Sequence, residues 1–129
     1  MVTAGSKARS RTRSGAKTPA PADAISCGPI WLSPSEMCEL RVDGKPVPVS
    51  LGQIRILARL LEAEGRVVAR SELYQALGGG VLNTNSRAID IHIARIRHAL
   101  GELGRFVIAV RGRGYRINIA GLAEAARYR

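Results

Sequence analysis

Arginine, histidine and small apolar side chains share one side of residues 86–100, SRAIDIHIARIRHAL, a pattern that suits contact with the edges of DNA bases. At 100° per residue, one narrow wedge of a helix holds Ile89, Ile93, Ile96 and Leu100. The opposite side holds Arg87, Ile91, Ala94, Arg95 and His98. Arginine can donate two hydrogen bonds to a guanine edge, and isoleucine or alanine can contact a thymine methyl group. The stretch therefore predicts a helix with one core face and one face for the DNA major groove.

The flanks of the same helix hold His92 and Arg97, and Asp90 is its only acid. A basic helix face is also a common way to keep a protein surface solvated. The sequence of this helix does not distinguish a solvated basic face from a DNA-binding face, so the rest of the chain has to be considered.

The overall charge points to a polyanionic partner. The 129 residues carry 20 Lys and Arg against 10 Asp and Glu, a formal net charge of +10, which suits nucleic acid or an acidic membrane surface. No apolar run approaches the 18 residues of a membrane span, and no apolar segment follows the N-terminal charges. We therefore predict no membrane partner, and a cytoplasmic, nucleoid-associated location.

The length predicts one domain with tails. Residues 1–24 contain Lys7, Arg9, Arg11, Arg13 and Lys17 without apolar periodicity, and we predict a disordered basic arm. Whether this arm contacts DNA phosphates or only aids solubility is left open. Residues 25–119 are predicted to form the folded domain, and residues 120–129 a C-terminal tail.

The folded part begins with β-type segments and continues with helices. Asp43-Gly44 predicts a tight turn of a hairpin, and Pro46 and Pro48 confine the returning segment to a sheet edge or to a frayed strand. Ser50 and Gln53 have capping-box spacing at the start of a helix, and residues 70–77 form a shorter helix. Together with residues 86–100 these predict a three-helix cluster of helix-turn-helix type.

Two further β-type runs, residues 106–110 and 115–119, flank a loop that carries Arg111 and Arg113. A hairpin with arginines at its tip, beside a helix in the major groove, suits the adjacent minor groove, where A·T tracts concentrate negative potential. An ordinary turn with solvated charges is the alternative. The predicted fold class is α+β, a three-helix core with a C-terminal β-hairpin wing.

The order and composition of these segments resemble the OmpR/PhoB-type winged helix-turn-helix effector domain of bacterial response regulators. The resemblance covers about residues 25–119 and is most specific in its last two runs. The runs that carry it are Val42-Asp43-Gly44 with Val49-Ser50, Arg66-Val67-Val68 through Glu72-Leu73, RAIDIHI with RIR and Leu100-Gly101 (residues 87–101), and VRGRGYR (residues 110–116). The family fold implies a small N-terminal antiparallel sheet packed against the three helices.

The resemblance also implies roles for single residues. It makes Arg95 a base or groove contact and Arg111 the minor-groove residue. Phosphate or groove-wall contacts are implied for Arg87, His92 and Arg97.

Regulation is predicted to differ from the family's usual scheme. No receiver domain precedes this module in the sequence, so we expect an orphan regulator that is not controlled by its own phosphorylation. The segment that often touches RNA polymerase in the family corresponds to residues 78–85, which are short and lack the tryptophan often found there. RNA polymerase, a regulatory protein and dimerisation on DNA are left open as partners.

We predict no enzymatic activity, cofactor or metal. Asp90 and His92 point to different sides of a helix, and His92 and His98 diverge by about 120°, so neither pair can relay a proton or hold a metal. The favoured function is a sequence-preferring double-stranded DNA-binding transcription regulator. Two alternatives remain: an architectural nucleoid protein with little sequence specificity, and a winged helix that binds an acidic protein.

Overall fold

A four-stranded antiparallel sheet opens the fold. The computed structural model describes residues 21–78 and 87–127. Its first four strands are β1 (Ile25–Cys27), β2 (Ile30–Ser33), β3 (Glu39–Val42) and β4 (Lys45–Val47), and they pair in chain order. The hairpin predicted at Asp43-Gly44 is confirmed as the β3–β4 connection. Strand β1, which pairs with β2, was not predicted.

The strand register separates a core face from an outer face. Ile30, Leu32 and Leu40 are buried against the helices, and Leu32 lies opposite Leu40. Strand β4 pairs with β3 alone, and Pro46 lies within it. Of the two alternatives that the prolines left, the edge position is therefore the one observed.

Helix α1 (Leu51–Glu62) begins with the predicted capping box. The Ser50 hydroxyl accepts from the Gln53 amide at 3.2 Å, and the Gln53 side chain accepts from the Ser50 amide at 3.1 Å. Helix α2 (Arg70–Ala76) lacks such a cap, because Ala69 stands at its N-cap position. An ion pair between Arg59 and Glu72, at 2.8 Å, joins the two helices.

Helix α3 (Ala88–Leu100) packs against α1 and α2. All four residues predicted for its core face are at most 3% exposed: Ile89, Ile93, Ile96 and Leu100. The apolar periodicity therefore predicted the inward face correctly. None of the described helices is long and apolar enough to cross a membrane.

The wing follows a 3₁₀ helix (Gly101–Phe106) and consists of β5 (Val107–Val110) and β6 (Gly114–Ile117). The hairpin and its arginine-bearing loop were predicted, but the second strand ends two residues earlier than expected. Asn118 donates its amide to the Phe106 carbonyl at 2.8 Å, and its side chain caps a further helix, α4 (Ile119–Ala126). The winged helix-turn-helix fold is thus confirmed.

Both predicted ends of the folded part need correction. Residues 120–126, expected in a tail, belong to α4, whose Leu122 is fully buried. At the other end, the Asp23 carboxylate accepts hydrogen bonds from the Ser33 hydroxyl at 2.8 Å and from the Ser35 amide at 2.6 Å. Burial opposes the charged form of Asp23, but these bonds outweigh it and hold its pKa below the ordinary value. Residues 1–20 of the predicted arm lie outside the described residues.

Candidate nucleic-acid interface

The exposed side of α3 and its N-cap carries the residues predicted to contact bases. The α3 stripe, as we call it, comprises Arg87, Ile91, Ala94, Arg95 and His98, all of them exposed. Their spacing places them within about 100° of the helix circumference, opposite the buried isoleucines. Ile91 keeps 48% of its surface exposed, which is unusual for so large an apolar side chain.

The second exposed cationic element is the wing loop, residues 111–113. Arg111 and Arg113 are both exposed, and the Arg113 amide donates to the Val110 carbonyl at 2.9 Å, which closes the turn. The loop therefore projects two guanidinium groups from a fixed hairpin.

The base of the wing is attached to the linker between α1 and α2. Val68 and Tyr115 exchange two backbone hydrogen bonds, at 2.7 and 3.0 Å, in an isolated β-bridge. Gly114 makes this approach possible: a Cβ atom there would overlap with the Val68 carbonyl oxygen. The wing is thereby fixed to the helix-turn-helix.

Asp90 links α2, α3 and the wing. Its Oδ1 atom accepts hydrogen bonds from the Tyr115 hydroxyl and from the Arg70 guanidinium, which lies over the Tyr115 ring at 5.8 Å. The bond from Tyr115, with that from Arg70, holds the pKa of Asp90 below its ordinary value. Burial and the bond to Asp90 raise the pKa of Tyr115, so that its hydroxyl stays protonated and donates.

Arg97 lies on the same flank of α3 as Asp90 and is bonded to the wing. Its Nε and Nη2 atoms donate to the Val107 carbonyl at 3.0 and 2.9 Å. A half-buried guanidinium committed to a backbone carbonyl has fewer donors left for a phosphate. The structure thus places Arg97 outside the α3 stripe.

His92 lies on the other flank, against the start of α1 and the end of α2. A Cβ atom at Gly52 would come within 3.0 Å of the His92 ring and 3.2 Å of Leu77. Burial, and then the charge of Arg95, lower the pKa of His92, so that the imidazole is neutral at pH 7. In the part of the chain that the structure describes, its Nδ1 atom is buried without a hydrogen-bond partner.

Seven of the nine predicted site residues therefore lie on two exposed surfaces, the α3 stripe and the wing loop, and His92 and Arg97 lie on the flanks of α3. Sequence reasoning did not single out Arg70 and Tyr115, which hold these surfaces together through Asp90. Asp90, the one acid of α3, was the available signal in the sequence, because a carboxylate on a cationic helix indicates a bonded partner nearby.

Three comparisons with known proteins bear on this surface. Residues 44–117 match the family model described as "Transcriptional regulatory protein, C terminal". The chain is 34% identical over 95 residues to the phosphate regulon transcriptional regulatory protein PhoB of Pseudomonas aeruginosa, covering 73% of this chain and 41% of PhoB. It is 33% identical over 97 residues to the heme response regulator HssR of Staphylococcus haemolyticus, covering 74% of this chain and 43% of HssR. The chain thus spans less than half the length of these relatives.

Solved structures give the same picture. The DNA-binding domain of CpxR from Escherichia coli superimposes with a TM-score of 0.65 and 29% identity, covering 76% of this chain and 96% of that domain. The Klebsiella pneumoniae RstA DNA-binding domain, solved in complex with the RstA box, gives a TM-score of 0.63 and 25% identity, covering 73% of this chain and 95% of that domain. The described fold is therefore that of these domains.

Proposed function

Because the chain belongs to the OmpR/PhoB-type family of winged helix-turn-helix effector domains of transcriptional regulators, we propose that it binds double-stranded DNA with a sequence preference. The family is one of DNA-binding, non-enzymatic domains. In the proposed complex α3 lies in the major groove and the wing loop enters the adjacent minor groove.

The observation that carries this proposal is the composition of the α3 stripe. Two arginines and a histidine share it with an exposed isoleucine and an alanine, and none of its five residues is acidic. A surface that acted through charge alone would gain nothing from a half-exposed isoleucine, because exposing an apolar side chain to water is unfavourable. The mixture is the chemistry of base edges, where guanine offers two acceptors and thymine a methyl group.

The RstA DNA-binding domain, which has a similar fold, was solved in complex with the RstA box, and this supports DNA binding by the present fold. On this chain we assign base contacts to Arg95, Ile91 and Ala94, and groove-wall or phosphate contacts to Arg87 and His98. Arg111 and Arg113 are assigned to the minor groove.

The two flank residues of α3 are proposed to position the helix rather than to bind phosphate. Arg97 is bonded to the Val107 carbonyl, and the imidazole of His92 is neutral.

Selection of bound sequences from a random duplex pool at about 0.15 M salt tests the proposal, because long-range attraction is already screened there. We expect a defined motif, and a repeat at helical-turn spacing would show that two copies bind together. An unselected or merely A·T-rich pool would support the architectural alternative. Absence of DNA binding would support the protein-binding alternative.

Replacing Arg95 by alanine is expected to relax the preference at one base step and to weaken binding of the selected site by about tenfold, since each bidentate base contact contributes about 1–3 kcal/mol. Repeating the selection with the variant measures both effects. Arg127→Ala is the matched control, because it removes the same charge from an exposed residue at the end of α4. An unchanged motif in Arg95→Ala would show that Arg95 does not contact a base.

The predictions on regulation stay predictions. The segment compared with the polymerase-binding region is residues 78–85, and its residues 79–85 lie outside the described residues. A contact with RNA polymerase or a regulatory protein, and independence from phosphorylation, remain to be tested on the purified chain. The same holds for phosphate contacts by the basic arm.

A further inference from the structure

Helix α3 is bonded to the wing at two levels, and both bonds lie on one flank of the helix. Near its start Asp90 binds Tyr115 of β6, and near its end Arg97 binds the Val107 carbonyl of β5. The proposed DNA contacts are divided between these same two elements. Their relative position therefore decides whether both grooves can be contacted at once.

Tyr115 stands at the point where the wing loop joins the rest of the fold. It follows Gly114 directly, its backbone bonds to Val68, and the residue is only 7% exposed. Its hydroxyl is bonded to Asp90. The tyrosine is thus an anchor inside the protein rather than a DNA contact of its own.

The place of Asp90 supports the same interpretation. It precedes the exposed Ile91 on the helix proposed to enter the major groove, where a carboxylate is repelled by DNA phosphates. A residue whose charge opposes binding needs another role, and the bonds to Tyr115 and Arg70 supply one.

We infer that Tyr115 and Asp90 are positioning residues for DNA binding: their hydrogen bond sets the wing loop relative to α3, so that Arg111 reaches the minor groove while Arg95 contacts the major groove. This inference rests on the proposed function. If it holds, a change at Tyr115 weakens DNA binding only through the contact that Arg111 makes.

A double-mutant cycle with Tyr115→Phe and Arg111→Ala tests the coupling on the selected duplex and on an A·T-rich duplex of equal length. Tyr115→Phe removes one hydroxyl and changes no charge at neutral pH. On the selected duplex we expect Arg111→Ala to weaken binding about tenfold and Tyr115→Phe about three- to tenfold, and the double variant to bind as Arg111→Ala does. Tyr74→Phe is the matched control, since it removes the same hydroxyl from a half-buried tyrosine of α2, outside the wing.

Losses that multiply in the double variant, or wild-type binding by Tyr115→Phe, would overturn the inference and leave the proposed function intact. Wild-type binding by Arg111→Ala would overturn the minor-groove contact and, with it, the inference. Hydrogen exchange of the free protein tests the anchoring by Tyr115 separately from DNA binding. Several-fold faster exchange of the Arg113 and Tyr115 amides in Tyr115→Phe supports a positioning role, and unchanged exchange overturns it.

Discussion

Replacing Gly114 by alanine is expected to lower the free energy of unfolding by at least about 3 kcal/mol, from backbone strain and overpacking together. The residue has φ +143°, a conformation that side chains rarely adopt. An added Cβ would also overlap with the Val68 carbonyl oxygen and lie 2.9 Å from the Ala69 Cα. These are backbone atoms, so no rotamer change relieves the overlap, and the bridge between Val68 and Tyr115 has to open. Urea denaturation at equilibrium measures the loss.

Gly112→Ala is the matched control for this experiment. Gly112 also has a positive φ, +75°, but nothing lies within 4 Å of an added Cβ. The control should lose only about 1–2 kcal/mol, the cost of a left-handed conformation for an alanine. Equal losses in the two variants would contradict a close approach of the wing to the linker, because only Gly114 faces that contact.

Local signals in the sequence predicted a large part of the fold. The capping box at Ser50 and Gln53 and the turn at Asp43-Gly44 each depend on residues close together in the chain. The buried face of α3 follows from periodicity alone. Such features depend on little beyond their own segment, so a single sequence suffices to predict them.

The residues of the candidate site could be predicted from the sequence, but the hydrogen bonds that join the site to the rest of the fold could not. The α3 stripe was identified from helical spacing, and the wing loop from its glycines and arginines. The partners of Arg97 and Tyr115 are 10 and 25 residues away, across a change from helix to strand. No periodicity encodes such a pair, so the contacts that Arg97 and His92 make with the protein were not predicted. Their expected DNA contacts stay predictions.

The missed helix α4 shows how tertiary packing overrides local preference. The alternation of Tyr115, Ile117 and Ile119 predicted a longer strand, and Gly121 disfavours a helix. The Asn118 side-chain oxygen accepts a hydrogen bond from the Gly121 amide at 2.9 Å and so caps the helix. A Cβ atom at Gly121 would overlap with the Phe106 ring, so this packing needs a glycine there. Asn118 was the one available signal, and its capping role is evident only once the strand ends at Ile117.

Replacing Leu122 by alanine is expected to lower the free energy of unfolding by about 2–5 kcal/mol, the usual cost of a cavity at a buried leucine. Leu122 is fully buried where α4 packs on β1 and the 3₁₀ helix. A C-terminal tail that packs on nothing would lose less than about 0.5 kcal/mol on the same change. The matched control is Leu51→Ala, because Leu51 is 44% exposed in the first turn of α1 and leaves a smaller void. Equilibrium denaturation of both variants therefore decides whether α4 belongs to the folded domain: a Leu122→Ala loss no greater than that of Leu51→Ala would return residues 120–126 to a tail.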